Sequence, residues 1–138
     1  MRQRSEVLAL STRRGLTEIT SAVRSAVREA GVRDGLCTVF LRHTSASLVI
    51  QENADPSVRH DLEAFLSRLV PDGHPSFTHV AEGDDDMSAH VKSALLKTSE
   101  QIPVLKGELA LGTWQGIYVW EHRTGSHRRQ VAIHVLGE

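Results

Sequence analysis

Glu108 to Leu136 reads ELALGTWQGIYVWEHRTGSHRRQVAIHVL, and this stretch decides the fold class. It contains three segments rich in β-branched, aliphatic and aromatic residues: Glu108 to Leu111, Ile117 to Glu121 and Gln130 to Leu136. Turns at Gly112 and Gly125 join them. Such residues suit a pleated, half-buried surface, and the glycines punctuate it. No helical period separates the three, so they need no crossover and at least part of the sheet is expected to be antiparallel. Helical periods do occur upstream. The expectation is therefore an α+β fold in a single domain covering residues 1–138.

Upstream, Glu6 to Leu10 reads as a short opening strand that ends at Ser11-Thr12. A helix is expected from Thr20, taken as its N-cap, with Val23, Ala26, Val27 and Ala30 on one face and Gly31 just past its end. After the Asp34-Gly35 turn, Leu36 to Leu41 looks like a strand buried on both faces, and Leu48 to Gln51 looks like another. Asp55-Pro56 sets a capping acid before a proline at the first helical position. Val58, Leu62, Phe65, Leu66 and Leu69 then recur on one helical face, and Pro71 ends the run. Asp72 to Met87 lacks any period and reads as a long irregular segment, a feature that is usually functional. Ser88 is expected to cap a final helix through His90, Val91, Ala94, Leu95 and Leu96.

Composition narrows the function classes. The chain has 138 residues, 40% hydrophobic and 24% charged, and Lys+Arg of 16 nearly cancels Asp+Glu of 17. A net charge of -1 provides no basic field for nucleic acid. No apolar run approaches the roughly 20 residues that span a bilayer. The first residues lack the pattern of a secretory leader, and a lone cysteine, Cys37, suits a reducing compartment, so a cytoplasmic location is expected. Cys37 lies among Leu36, Val39 and Phe40 and reads as an inert buried thiol. Trp114 and Trp120 read as core aromatics.

The eight histidines are about two to three times the average usage, which makes their placement informative. His60 lies within the second helix, where it should face solvent, while His43, His79 and His90 flank small or acidic residues. His43-Thr44-Ser45-Ala46-Ser47 offers small side chains and hydroxyls that let a ligand approach and hydrogen-bond. Glu52 and Asn53 stand where a strand meets a helix start, and neither has the capping role that accounts for Asp55. His79 to Asp86 concentrates acids, with His90 and Lys92 following. Imidazoles suit zinc and related ions while clustered carboxylates suit magnesium, so either kind of ion fits. Gly112-Thr113-Trp114-Gln115-Gly116 adds two ambiguous polar residues, and Glu121, His122 and Arg123 end a strand where they either bind an anion or face water.

Read together, His43 to Leu48, Glu52 to Pro56, His79 with Glu82 to Asp85, His90-Val91-Lys92 and Leu111 to Tyr118 resemble the YjbQ-like family in order and spacing. The resemblance covers nearly the whole chain. It implies a compact α+β fold, a homotrimer, and a pocket lined by the histidine and acid motifs. It also implies a thiamine-phosphate synthase activity, described as secondary, that joins a pyrimidine methyl diphosphate to a thiazole phosphate with release of pyrophosphate. Two positions depart from the family pattern: Ser88 stands where a proline is expected and Lys97 where a glycine is common.

Three readings follow. In the first, a transferase acts on a phosphorylated small molecule. Glu52, Asp84, Lys92 and Arg123 are its candidate catalytic residues, and Thr44, Ser45, Ser47, Asn53, Asp85, Thr113 and Gln115 its candidates for binding substrate. In the second, His43, His79 and His90 converge on a divalent metal, zinc or magnesium, for hydrolysis. The third is a binding protein that holds a metal or metabolite without turnover.

Overall fold

The backbone of this chain closes into two antiparallel sheets that share one interior. A computed structural model describes all residues, Met1–Glu138. In chain order the elements are β1 (Arg2–Thr12), β2 (Gly15–Glu18), α1 (Thr20–Ala30), β3 (Gly35–Leu41), β4 (Ala46–Glu52) and α2 (Pro56–Leu69). They continue with α3 (Asp84–Leu95), β5 (Ser99–Leu105), β6 (Glu108–Leu109), β7 (Gln115–Glu121) and β8 (His127–Gly137). One sheet has the order β1-β8-β3-β5-β6 and the other β2-β7-β4. The α+β class with its antiparallel pairing is as expected.

Alternation along the strands builds the core. Cys37, Val39 and Leu41 of β3, Ile102 and Val104 of β5, and Val131, Ile133 and Val135 of β8 point inward. They meet Ile117 and Val119 of β7 and Val23, Ala26 and Val27 of α1, all at most 3% exposed. Cys37 is fully buried, and burial pushes its thiol pKa up to about 11, so it is inert.

Several expectations are corrected. β3 is buried on one face only, because its outer side chains Leu36 and Phe40 are 39% and 47% exposed. Across the ladder Phe40 neighbours Ala132 and then Val7, and Leu36 neighbours Leu136, so the outer face of the large sheet carries two apolar clusters with Thr38, His134 and Ser5 between them. In α2 only Leu66 is fully buried, and Phe65 and Leu69 stand out of the stripe into solvent. Trp120 is buried but Trp114 is 64% exposed, so it is not a core aromatic. Thr20 does not cap α1; Ile19 holds that position, and the Thr20 hydroxyl donates to Glu18 and accepts from the Ile117 amide. β2 and β5 are additional strands. α3 begins four residues before Ser88, after Gly83 in a left-handed conformation (φ 103°), so the acids Asp84, Asp85 and Asp86 form its first turn. That placement suits them, since negative charge is stabilised at the positive end of a helix.

Two local constraints hold the sheets. Gly35 of β3 faces Gly137 of β8, and a Cβ on Gly35 would lie 2.1 Å from the Leu136 carbonyl oxygen, a contact with backbone that cannot rotate away. Where the sheets meet, Glu121 is fully buried, and it accepts hydrogen bonds from the Thr12 hydroxyl and the Arg129 guanidinium. Arg129 also donates to the carbonyl and hydroxyl of Ser45. Glu121 and His122 therefore do not face water or an external anion. Burial alone would raise the Glu121 pKa. Hydrogen bonds from Arg129, Thr12 and the Arg123 amide, with the Arg129 charge, overcome this and hold it down at about 2.

Gly35→Ala should lower stability by about 3 kcal/mol, the upper end for overpacking, as read by urea unfolding. Glu121→Gln should cost about 3–5 kcal/mol at neutral pH, since it leaves the Arg129 charge buried without its partner. Because the folded pKa lies below the ordinary 4.5, the carboxylate's contribution is complete above that value and fades as pH falls toward 2. The gap between wild type and variant should therefore narrow across that acid range. A gap independent of pH there would refute the assignment.

Candidate metal centre

α3 and the segment before it bring three ligand groups together. Asp86 and His90 are four residues apart on the helix and so share a face. His79, arriving from the 73–83 segment, completes the group: one ligand atom each from His79, Asp86 and His90 lie within 4.8 Å of one another. His79 Nε2 is 2.8 Å and His90 Nε2 3.2 Å from the same oxygen, Asp86 Oδ2. Asp86 is 3% exposed, while the histidine side chains keep 47% and 32% exposure, so the group opens to solvent on its imidazole side. Burial alone would raise the Asp86 pKa, but the His79 hydrogen bond and the charges of His90 and Arg123 lower it, keeping the carboxylate ionised.

The hydrogen bond at the other nitrogen of His90 determines what the centre can hold. His90 Nδ1 lies 2.8 Å from the Thr44 carbonyl oxygen, which can only accept, so Nδ1 carries the proton. With Nδ1 so anchored, His90 Nε2 is the nitrogen that faces the Asp86 carboxylate oxygen. Two electron-rich atoms at 3.2 Å repel unless a proton or a metal ion sits between them. An imidazole anchored through Nδ1 to a carbonyl is also the usual outer support of a metal ligand. Two imidazoles and one carboxylate suit zinc or another transition ion better than magnesium, which prefers oxygen. The residues present fit such an ion.

Other residues of the expected site are distributed differently. His43 lies outside the cluster, because its Nε2 accepts the Gln130 amide N–H at 2.8 Å. Convergence of His43, His79 and His90 is thus replaced by His79, Asp86 and His90. Asp85 accepts from the Arg123 guanidinium and from the amide and hydroxyl of Thr124, which hold its pKa down to about 2 against the effect of burial. It is committed to the loop after β7. Asp84 is exposed beside Gly73. Arg123 reaches both acids, with Nε 3.3 Å from Asp85 and 3.6 Å from Asp86, and it stays 23% exposed at the edge of the centre.

Glu52 and Asn53 turn out to have structural duties. Glu52 accepts the amides of Ala54 and Asp55, and Asn53 donates to the carbonyls of Thr113 and Gln115. The Gln115 side chain closes its own turn by accepting the Gly112 amide, and Thr113 is exposed. Thr44 contributes its carbonyl, and Ser45 is held by Arg129. Ser47 pairs with His122 Nε2 at 2.9 Å, both fully buried. Burial, then the nearby Lys92 charge, pushes His122 down to about 3, so it is neutral. Lys92 is 1% exposed and points to the opposite face of α3 from the cluster; burial and Arg14 lower its pKa.

Asp86 is the residue that sequence reasoning passed over. Its signal was the spacing of an acid and a histidine four apart, which has meaning only once the helix is known to begin at Asp84.

Comparison with known proteins agrees with the fold. The family model described as UPF0047 protein YjbQ-like matches residues 6–138. UPF0047 protein sll1880 of Synechocystis sp. is 53% identical over 138 residues, covering 99% of this chain and 94% of that relative. UPF0047 protein YjbQ of Escherichia coli O157:H7 is 43% identical, with 96% and 97% covered. Among solved structures, hypothetical protein APE1520 from Aeropyrum pernix K1 superposes with a TM-score of 0.84 at 30% identity, covering 96% of this chain and 99% of that one. The match across nearly the full length, in sequence and in backbone, places this chain in the UPF0047 YjbQ-like family.

Proposed function

We propose that the protein is a metal-dependent enzyme that hydrolyses a phosphorylated small molecule at the His79, Asp86 and His90 centre. The observation that carries this reading is the convergence of one ligand atom each from His79, Asp86 and His90, with His90 Nδ1 anchored on Thr44. A divalent ion bound there supplies a water acidified to near neutrality and a positive charge for the phosphoryl oxygens. His79, Asp86 and His90 would hold such an ion, and the partly exposed imidazoles would leave it accessible from solvent. Arg123, beside Asp86, is placed to meet an anionic group at the edge. Asp86 Oδ2 orients both imidazoles and stays ionised, a condition for holding a cation.

The transferase reaction implied by the resemblance is the competing reading, and Arg123 favours it as a partner for a diphosphate leaving group. Its acids are less well placed, since Asp85 is taken up by Arg123 and Thr124. We also propose that the chain assembles as a homotrimer through the outer face of the large sheet. The support is the exposure of Val7, Leu36, Phe40 and Leu136, in two clusters on the outer face of that sheet.

Metal analysis of purified protein should find about one transition ion per chain, and a panel of phosphate monoesters should turn over only with it. His90→Ala should lower metal affinity and turnover by more than about tenfold, roughly 1.4 kcal/mol. His60→Ala should change neither, because that ring is 81% exposed and meets only Asp61. Equal metal content and turnover in the two variants, at matched melting temperature, would dismiss the centre. Turnover of the thiamine precursors alone would replace hydrolysis by transfer, and bound metal with no turnover would leave a binding protein. Light scattering should give a trimer at micromolar concentration, and a monomer would refute that assembly.

A further inference from the structure

Asp, Glu, Lys and Arg make up 24% of the chain, yet the centre of the outer face of the five-stranded sheet carries none of them. Its middle row crosses the sheet as Ser5, His134, Thr38 and Gln101. The row on one side is Gln3, Leu136, Leu36 and Pro103, and on the other Val7, Ala132, Phe40 and Ser99. Charged side chains border these rows or turn away from them. Arg42 and Arg128 stand at one end, where they hydrogen-bond to Gln130 and Ser11. Arg4 and Glu6, on either side of Ser5 in β1, pair with each other, and Arg4 also reaches Glu29 of α1. Glu100, beside Gln101 in β5, is buried and paired with Lys97.

A centre depleted of charge inside a polar border is the anatomy of a protein–protein interface. Val7, Leu36, Phe40 and Leu136 give it exposed apolar surface on both sides of the middle row. A covering surface that brought a charge to this centre would find no counter-ion there, and an uncompensated charge taken out of water is costly. The match is a surface equally free of charge, and the chain has one in this face itself. A second copy is therefore the occupant that fits.

His134 is the only titratable group in the three rows. Its Nδ1 lies 2.5 Å from the Ser5 hydroxyl, and its Nε2 has no partner within the chain. We propose that neighbouring copies of this chain meet through this face and that protonation of His134 drives them apart. The inference rests on the homotrimer proposed above and adds its regulation. A neutral imidazole can be covered. A charged one resists, because burial disfavours the charged form and Ser5, Thr38 and Gln101 offer it no anion. Covering the ring thus lowers its affinity for a proton, so association is complete above the titration of the uncovered ring and is lost as pH falls below it. Histidine ordinarily changes charge between about pH 5 and 8, which sets the range of the switch. Each chain contributes up to about tenfold per pH unit, and a trimer up to about a thousandfold.

Sedimentation velocity of the full chain at micromolar concentration, at about pH 7.5 and about pH 5.5, tests this, with far-UV circular dichroism on the same samples to follow folding. Wild type should be a trimer at the higher pH and a folded monomer at the lower. His134→Gln, which keeps a hydrogen-bonding side chain and cannot be charged, should stay a trimer at both. His134→Arg should be a folded monomer at both, and Phe40→Glu, at a position already exposed in the single chain, should be one at the higher pH. A wild-type trimer at both pH values, or His134→Gln dissociating alongside wild type, would overturn the switch and leave the trimer standing. Either charged variant remaining a trimer at the higher pH would show that another face holds the copies together and sink the inference. A wild-type monomer at the higher pH would remove the assembly itself, and this inference with it.

Discussion

The architecture depends on one buried charge pair. Glu121 and Arg129 sit where the two sheets meet, and a buried pair is stable only if its remaining donors and acceptors are satisfied. Here they are. Thr12 from the end of β1 and the Arg123 amide complete Glu121, while the Ser45 carbonyl and hydroxyl complete Arg129. The pair therefore ties β1, β7, β8 and the loop before β4 into one body. The preceding residue in that loop, Thr44, anchors His90. A structural ion pair in the interior thus extends, through a short step of backbone, to the orientation of the His90 imidazole at the surface.

How much of this was legible depended on whether the signal was local. Asp55-Pro56 and Gly31 mark helix ends by backbone chemistry of their own, and the structure has Asp55 accepting the Ser57 amide and Gly31 in the left-handed region. β8 follows from strict alternation of Val131, Ile133 and Val135. β5 alternates just as strictly, but its inward side chains are Glu100, Ile102 and Val104, and an acid and Pro103 in the run obscure the pattern. β2 is four residues long, too short for any period to emerge. α3 begins after Gly83, which caps it without a side-chain bond, and three acids in succession look like a solvated turn until the helix dipole is considered. Ser88 looked like a cap because serine often is one, yet its hydroxyl pairs with Asp72 and the Asp85 carbonyl inside the helix.

The site shows the same division. His79 and His90 were recognisable from their acidic surroundings, but choosing among Asp84, Asp85 and Asp86 required the helical phase, which only the true start of α3 supplies. Glu52 and Asn53 were overvalued for a different reason. Polar side chains without a visible duty were read as free, whereas both satisfy backbone groups in a strand-to-helix bend, partners that a linear sequence does not display. His43 was misplaced because the strand end that carries it directs the ring toward β8, where Gln130 offers an amide.

α3 explains why residues so close in sequence do different work. Asp86 and His90 lie on one face, toward His79; Asp85, Ser88 and Lys92 lie on another, toward Arg123, Asp72 and the buried His122. Only Arg123 reaches both faces, through Asp85 and Asp86. A cation at the metal centre would repel that guanidinium and weaken its hold on Asp86, while leaving the closer contact with Asp85 in place. Charge at the exposed centre is thereby linked to the loop after β7, which Asp85 ties to α3 through Thr124. The same loop leads into β8 and so to Arg129. The interior pair and the surface centre are therefore two ends of one polar chain that crosses a hydrophobic core.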